Sequence, residues 1–376
     1  MPVTIRCWKS TILFIYAASV LHTLPIVQLS MASKAMNNCL VVGPAWAGDM
    51  VMAQALFKLL KQKDPQCILT VLAPSWSRAL LTRMPEVNQV LDMPWGPGQL
   101  QLRERWQFGR QLRSQHYNRA IILPVSWKSA LVPWAAGIPH RIGWLGECRY
   151  GLLNDWRHNP KQWPLMVQRF LALGLATSCE MPAWALFRPQ LQVFPEILTK
   201  TLAKHQLQPE AAPILALCPG AVFGGAKRWP IAHFAHIARQ KLKSGWQVWL
   251  LGSHKEKILG EALQAQTNQA CINLIGKTCL DEVVDLLSLA QIVVSNDSGL
   301  MHVAAALSRP LVAIYGSTTP QFAPPLSDSA YTQILRLDLP CSPCCQRECP
   351  LGHLNCLQQL SPERVLTAID ALVSSL

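Results

Sequence analysis

Charge is scarce in this 376-residue chain, at 15% of residues, and acidic charge is the scarcer kind: 21 Asp and Glu stand against 34 Lys and Arg, a formal net charge of +13. So few charges beside 50% apolar residues exclude a disordered chain and leave hydrophobicity in excess, available for contact with membrane or lipid. Long apolar runs are also few. The one from Thr11 to Leu21, behind Arg6 and Lys9, has the make-up of a signal-peptide core or short anchor, but His22 and Pro25 interrupt it and no convincing small-residue cleavage site follows. Met31 and Met36 offer alternative starts, so residues 1–36 read as an N-terminal extension. An even spread of cysteines is missing too. Of 13, five fall between Cys341 and Cys356 and the rest are scattered, which excludes a secreted disulfide framework and reads as cytoplasmic.

The length calls for two α/β domains of similar size. Asn38-Cys-Leu-Val-Val-Gly43 is a short buried strand, followed by a loop and a helix from Met50 to about Lys61 with apolar residues at helical spacing. Strand-like runs at Ile68–Leu72 and Arg119–Leu123 alternate with helical stretches around Ala79–Arg83 and Leu100–Gln115, which implies a parallel sheet. A polar, Pro-containing stretch at Gln206–Pro213 looks like a linker, after which the pattern restarts. Strands are expected at Ile214–Leu217, Gln247–Leu251, Ala290–Ser295 and Leu311–Ile314, with helices at Ala232–Lys243 and Glu256–Gln266. The expected domains are therefore 37–205 and 206–376.

The run Ser295-Asn-Asp-Ser-Gly-Leu-Met-His-Val-Ala-Ala-Ala306 joins the end of a strand to a small-residue helix. With Asp297 or Ser298 as cap, the free N–H groups and positive dipole end of the first turn make a seat for phosphate. Gly299 permits close backbone approach, and Met301 and His302 project from that turn towards whatever the phosphate carries. Lys227 and Arg228 lie in a glycine-containing loop where two cations can neutralise a diphosphate leaving group as its charge grows. Asp49 follows Gly48 at the start of a helix. A carboxylate there serves either as a cap or as a general base for an attacking hydroxyl. Ligands of open α/β sheets bind beyond the carboxyl ends of the strands, where Asp49, Lys227 and Asp297 would converge across an interdomain cleft. No Asp-x-Asp pair lies beside this site, so catalytic magnesium is not indicated and Lys227 supplies the charge.

Between Arg103 and Arg169 eleven Lys and Arg face only Glu104, Glu147 and Asp155, with six tryptophans interleaved. Nucleic acid is one anionic partner such a stretch suits, but no nucleic-acid motif is present, and a phosphorylated or carboxylated substrate at an anionic membrane surface accounts for the charge equally well. Cys341, Cys344, Cys349 and Cys356 have a spacing compatible with a structural tetrathiolate site for zinc or iron, or with a reduced cysteine-rich loop.

Taken together, Val42-Gly-Pro-Ala-Trp-Ala-Gly-Asp-Met50, Leu123-Pro-Val-Ser-Trp-Lys-Ser-Ala-Leu-Val-Pro133, Ala136-Gly-Ile-Pro-His-Arg-Ile-Gly143, Arg149-Tyr-Gly-Leu-Leu-Asn-Asp155, Cys218-Pro-Gly-Ala221, Ala226-Lys-Arg-Trp-Pro230 and Asn296-Asp-Ser-Gly-Leu-Met-His302 resemble the lipopolysaccharide core heptosyltransferases, family 9 glycosyltransferases of GT-B architecture. The likeness covers nearly everything after Met36. It implies two Rossmann-like domains facing across a cleft and inverting transfer of L-glycero-D-manno-heptose from ADP-heptose to the first heptose of the inner core on lipid A. It further implies no catalytic cofactor, no nucleic-acid partner, and a cytoplasmic enzyme peripheral to the inner membrane. Asp49 matches the family's base and Lys227 its diphosphate-contacting lysine, while Asp297, Ser298, Gly299, Leu300 and His302 match the donor segment. Lys128, Arg141 and Arg149 fall in matching motifs where acceptor carboxylates and phosphates would dock. The first 35 residues have no counterpart in the usual pattern, and the cysteine cluster occurs in only some relatives.

Overall fold

The computed structural model describes residues 37–96 and 98–375; the expected extension, with its apolar run, lies outside the described residues. The first sheet takes β1 (Asn38–Val42), β2 (Ile68–Ala73), β3 (Gln89–Asp92), β4 (Arg119–Ile122), β5 (His140–Trp144) and β6 (Asp155–Arg157) in the order β3-β2-β1-β4-β5-β6. The second takes β7 (Ile214–Cys218), β8 (Gln247–Leu250), β9 (Ile272–Asn273), β10 (Ile292–Asn296), β11 (Leu311–Ile314) and β12 (Thr332–Leu335) in the order β12-β11-β10-β7-β8-β9. All pairs are parallel.

Counted from its own first strand, each sheet runs 3-2-1-4-5-6, the doubly wound order whose switch point lies between strands 1 and 4. The loops and first helical turns that follow β1, β4, β7 and β10 therefore own the ligand crevices, and they carry Asp49, Lys128, Lys227 and Asp297. Central strands are covered by helices on both faces and so read as unbroken apolar runs, as in Leu40-Val-Val42 and Ile292-Val-Val294, all buried. The edge strands β3, β6 and β12 are short and half-exposed.

Both sheets belong to one compact unit, and its lobes are joined through a buried ion pair. Arg83 donates to both carboxylate oxygens of Asp285 at 2.6 and 2.7 Å and to the Gln192 and Asp281 carbonyls. Its guanidinium lies 4.6 Å from the centre of the Phe194 ring. Neither side chain of the pair reaches solvent. A second join matters more for chemistry. Helix Ala47–Lys63 of the first lobe packs against helix Gly299–Ala306 of the second.

Candidate active site

The loop after β7 is held by a buried amide. Asn296 Oδ1 accepts the Trp229 N–H at 3.1 Å while its Nδ2 donates to the Pro219 carbonyl at 2.8 Å, so one side chain clamps both ends of the loop. The middle is braced from the cysteine-rich segment: Ala226 N–H donates to the Arg347 carbonyl at 3.0 Å, and Gly225 N–H to the Glu348 carboxylate at 3.2 Å. A Cβ at Gly224 would lie 2.2 Å from that Arg347 oxygen, so a side chain has no room there. So fixed, Lys227 donates to Asp297 Oδ2 at 2.6 Å, with both groups mostly sheltered from water. Thr318 Oγ1 donates to the same oxygen. Arg228 does not join it; its guanidinium donates twice to the Ala221 carbonyl, at 3.2 Å, and braces the loop from within.

The Gly299 helix departs from expectation at its cap. Ser298 occupies the N-cap with extended backbone, but its side chain makes no capping bond; the hydroxyl lies 3.2 Å from that of Ser295. Asp297 does not cap either, because Lys227 and Thr318 hold its carboxylate. First-turn N–H groups without a side-chain acceptor, at the positive end of a helix dipole, attract an anion. Met301 is fully buried in the apolar core rather than turned to a ligand, and Leu300 is half-buried beside it. His302 is buried, and burial lowers its pKa to about 4, with Asp297 raising and Lys227 lowering it to lesser degrees. It is neutral at ordinary pH.

The facing helix begins at Ala47 with Trp46 at its N-cap and no side-chain cap, which leaves Asp49 in the third helical position rather than at the cap. A Cβ on Gly48 would come within 2.6 Å of His302 Cδ2, and one on Gly299 within 2.7 Å of the Ala47 methyl. Two uncapped helix N-termini, one from each lobe, thus meet tip to tip. Among the described residues Asp49 has no side-chain hydrogen-bond partner, but it lies in the fields of Lys227 and Asp297. Burial raises its pKa to about 6, with Lys227 lowering and Asp297 raising it to lesser degrees. A carboxylate so tuned is mostly ionised at neutral pH yet ready to take a proton.

The three acceptor-side cations are placed differently from one another. Arg149 is buried, and its guanidinium donates to the Trp144, Pro124 and Ser126 carbonyls and to Ser129 Oγ. Arg141 donates to the Leu152, Ile138 and Gly151 carbonyls. Direct docking through the buried Arg149 guanidinium would break its bonds, whereas the half-buried Arg141 spends three of its five donors on these carbonyls and keeps two. Lys128 makes one bond, to the Gly98 carbonyl at 3.1 Å, and keeps donors in hand.

The cysteine spacing finds no support as a metal centre: no group of three or more His, Cys, Asp or Glu among the described residues is gathered to hold an ion. The Leu354 N–H, with those of Leu351, Gly352 and His353, lowers the pKa of Cys349. Cys356 is buried in the apolar cluster of the second lobe, and burial together with the nearby Cys341, Cys344 and Cys349 raises its pKa. All described cysteines are free thiols. The segment braces the Lys227 loop instead, through Arg347, Glu348 and the Cys345 N–H, which donates to the Ser317 carbonyl at 2.7 Å.

Asn296, Thr318, Glu348 and the Gly48–His302 contact carry the geometry without having been singled out in the sequence. Asn296 alone had a signal, its place between strand and helix.

Two doubly wound lobes whose ligand crevices face each other define the GT-B class of glycosyltransferases. The chain belongs to glycosyltransferase family 9 (heptosyltransferase), whose model matches residues 105–355. It is 47% identical over 344 residues to lipopolysaccharide heptosyltransferase 2 of Escherichia coli, covering 89% of this chain and 98% of that one. It is 46% identical over 312 residues to lipooligosaccharide heptosyltransferase 2 of Haemophilus influenzae, covering 80% and 88%. The solved structure of the Escherichia coli ADP-heptose lipopolysaccharide heptosyltransferase II superposes with a TM-score of 0.79 at 44% identity, over 90% of this chain and 98% of that one.

Proposed function

We infer that the chain transfers L-glycero-D-manno-heptose from ADP-heptose to the first heptose of the lipopolysaccharide inner core, with inversion, working from the cytoplasm at the inner-membrane surface. What carries the reading is the tip-to-tip contact of Gly48 with His302, which sets Asp49 of one lobe in the field of Lys227 and Asp297 of the other. Identity of 47% and 46% over most of the chain to proteins named lipopolysaccharide and lipooligosaccharide heptosyltransferase 2 supports it.

In this mechanism Asp49 takes the proton from the acceptor hydroxyl, whose oxygen attacks the anomeric carbon as the bond to the ADP oxygen breaks. Negative charge grows on the leaving diphosphate. Lys227 and the uncapped Gly299 helix, two fixed positive ends, stabilise it where it develops, and a preorganised charge of this kind is often the largest catalytic term. Asp297 aims the ammonium before the donor arrives, and the neutral His302 fills the contact between the lobes. Lys128 is the acceptor-side cation with donors to offer. The mechanism asks for no cofactor, since Lys227 and the helix supply the positive charge.

The test is incubation with ADP-heptose and either mono-heptosylated or unheptosylated lipid A acceptor, read by mass spectrometry. One added heptose on the first acceptor alone is expected. Addition to the unheptosylated acceptor instead would move the enzyme to the preceding step, and no addition to either would end the reading.

A further inference from the structure

Helix Leu102–Gln111 is built inside out. Arg105 turns inward, where it is 5% exposed and stacks 4.2 Å from the Trp95 ring centre, while Leu102 and Trp106, one turn apart on the same face, stand 47% and 40% exposed. A helix facing only water would place these residues the other way round. The exposed face continues across a helix junction: Gly109 admits Ala135 so closely that a Cβ would lie 2.7 Å from its methyl, which brings exposed Trp134 within 5.2 Å of Trp106. Leu102, Arg103, Trp106, Trp127 and Leu131 line one open groove on this face. Among the described residues all four exposed tryptophans, Trp46, Trp106, Trp134 and Trp156, belong to the first lobe.

We propose that this face seats on an anionic lipid bilayer. Charge selects that occupant: exposed Arg103 and Arg110 and the half-exposed Lys128 flank the aromatic surface, against Glu104 on the same helix and exposed Glu147, whose carboxylate accepts the Trp127 N–H at 3.0 Å. Tryptophan beside cations is the composition that settles at a headgroup boundary, its ring in the acyl edge and the cations on lipid phosphates. Location agrees. Trp127 and Lys128 belong to the loop that leaves β4, on the crevice side of the first sheet, so a lobe seated here presents its acceptor side to the surface from which a lipid-borne acceptor extends. This rests on the reading of a lipid-linked acceptor, and it names the surface that meets the lipid.

The experiment is co-sedimentation of the full chain with vesicles of phosphatidylethanolamine and phosphatidylglycerol, against vesicles of phosphatidylcholine. Two double variants are compared, Leu102→Gln with Trp106→Gln and Arg103→Gln with Arg110→Gln, both retaining residues 1–36. Circular dichroism checks their fold, and transfer to detergent-dispersed acceptor checks their cleft. The wild-type chain should sediment with anionic vesicles and be released by salt. Each cation removed should weaken binding roughly fivefold, and the apolar variant should lose most binding, with detergent-phase transfer unchanged in both. Undiminished sedimentation of the variants, equal binding to phosphatidylcholine, or a wild-type dimer that the variants abolish would each overturn the proposal. Absence of transfer in the wild-type detergent assay would instead strike the catalytic reading, leaving the vesicle result to be judged separately.

Discussion

Gly48 rests directly on the His302 imidazole, and a methyl group there would stand 2.6 Å from Cδ2. His302 is buried and has no space to withdraw into, so the helix tips themselves must part. Gly48→Ala is expected to cost about 1–3 kcal/mol of stability through overpacking. It should also cost roughly a hundredfold in kcat/KM, the scale of a displacement of about 1 Å in a reacting constellation. Thermal unfolding and steady-state kinetics on the same variant check both; an unchanged kcat/KM would mean that the contact is incidental to turnover.

The pKa of Asp49, about 6, fixes a pH profile. The base must be ionised, so log kcat/KM should rise with unit slope below pH 6 and level off above it. Its effect on stability has the opposite sign. A carboxyl whose pKa rises on folding binds its proton more tightly in the folded chain, so its contribution is full below the unfolded value near 4 and is lost as pH climbs through 6. At pH 7.5 Asp49→Asn should therefore be more stable than the wild type, by about 1–2 kcal/mol after allowance for its partial exposure. Urea unfolding at pH 7.5 decides the matter: a less stable variant would contradict the burial account.

Gly224→Ala addresses the loop. Its Cβ would meet the Arg347 carbonyl at 2.2 Å, a backbone atom with little freedom to move, and the loop carrying Lys227 would shift. ADP affinity should fall roughly tenfold or more. Glu348→Gln, which only weakens the bond from Gly225 N–H, should lower it a fewfold. Calorimetric titration with ADP separates the two; equal, wild-type affinity in both would show that the cysteine-rich segment does not hold the loop.

Arg83→Met strands the buried Asp285 carboxylate, and losing one partner of such a pair costs about 3–5 kcal/mol. The double variant Arg83→Met with Asp285→Leu removes the orphaned charge and should regain much of that. Urea midpoints of both test this. A double variant no more stable than the single would show that the ion pair does more than satisfy itself.

The buried central strands were legible because apolar runs such as Leu40–Val42 and Leu311–Ile314 have no other home, and the strand–turn–helix punctuation at Asp49 and Asp297 stood out beside them. β3, β6, β9 and β12 were not, since two to four half-polar residues at a sheet edge carry no period to detect; nor was β5, whose His140, Arg141 and Gly143 break the apolar run. In the site, residue chemistry was legible but direction was not. Arg149 and Arg141 look in sequence like free cations, and only the structure shows how many backbone carbonyls their guanidinium groups already serve. Asp297 looked like a cap until Lys227, 70 residues away in sequence, took its carboxylate. Such pairings depend on how distant loops of one lobe come together, which no local pattern encodes.

If Asp49 acts as base across the cleft from Lys227 and the Gly299 helix, single-turnover transfer by Asp49→Asn with ADP-heptose and mono-heptosylated acceptor must show it. Donor affinity should stay within about twofold of wild type and the transfer rate should fall by roughly 10²–10⁴, the usual worth of a positioned base. A variant that folds, binds donor and transfers at close to the wild-type rate would contradict it.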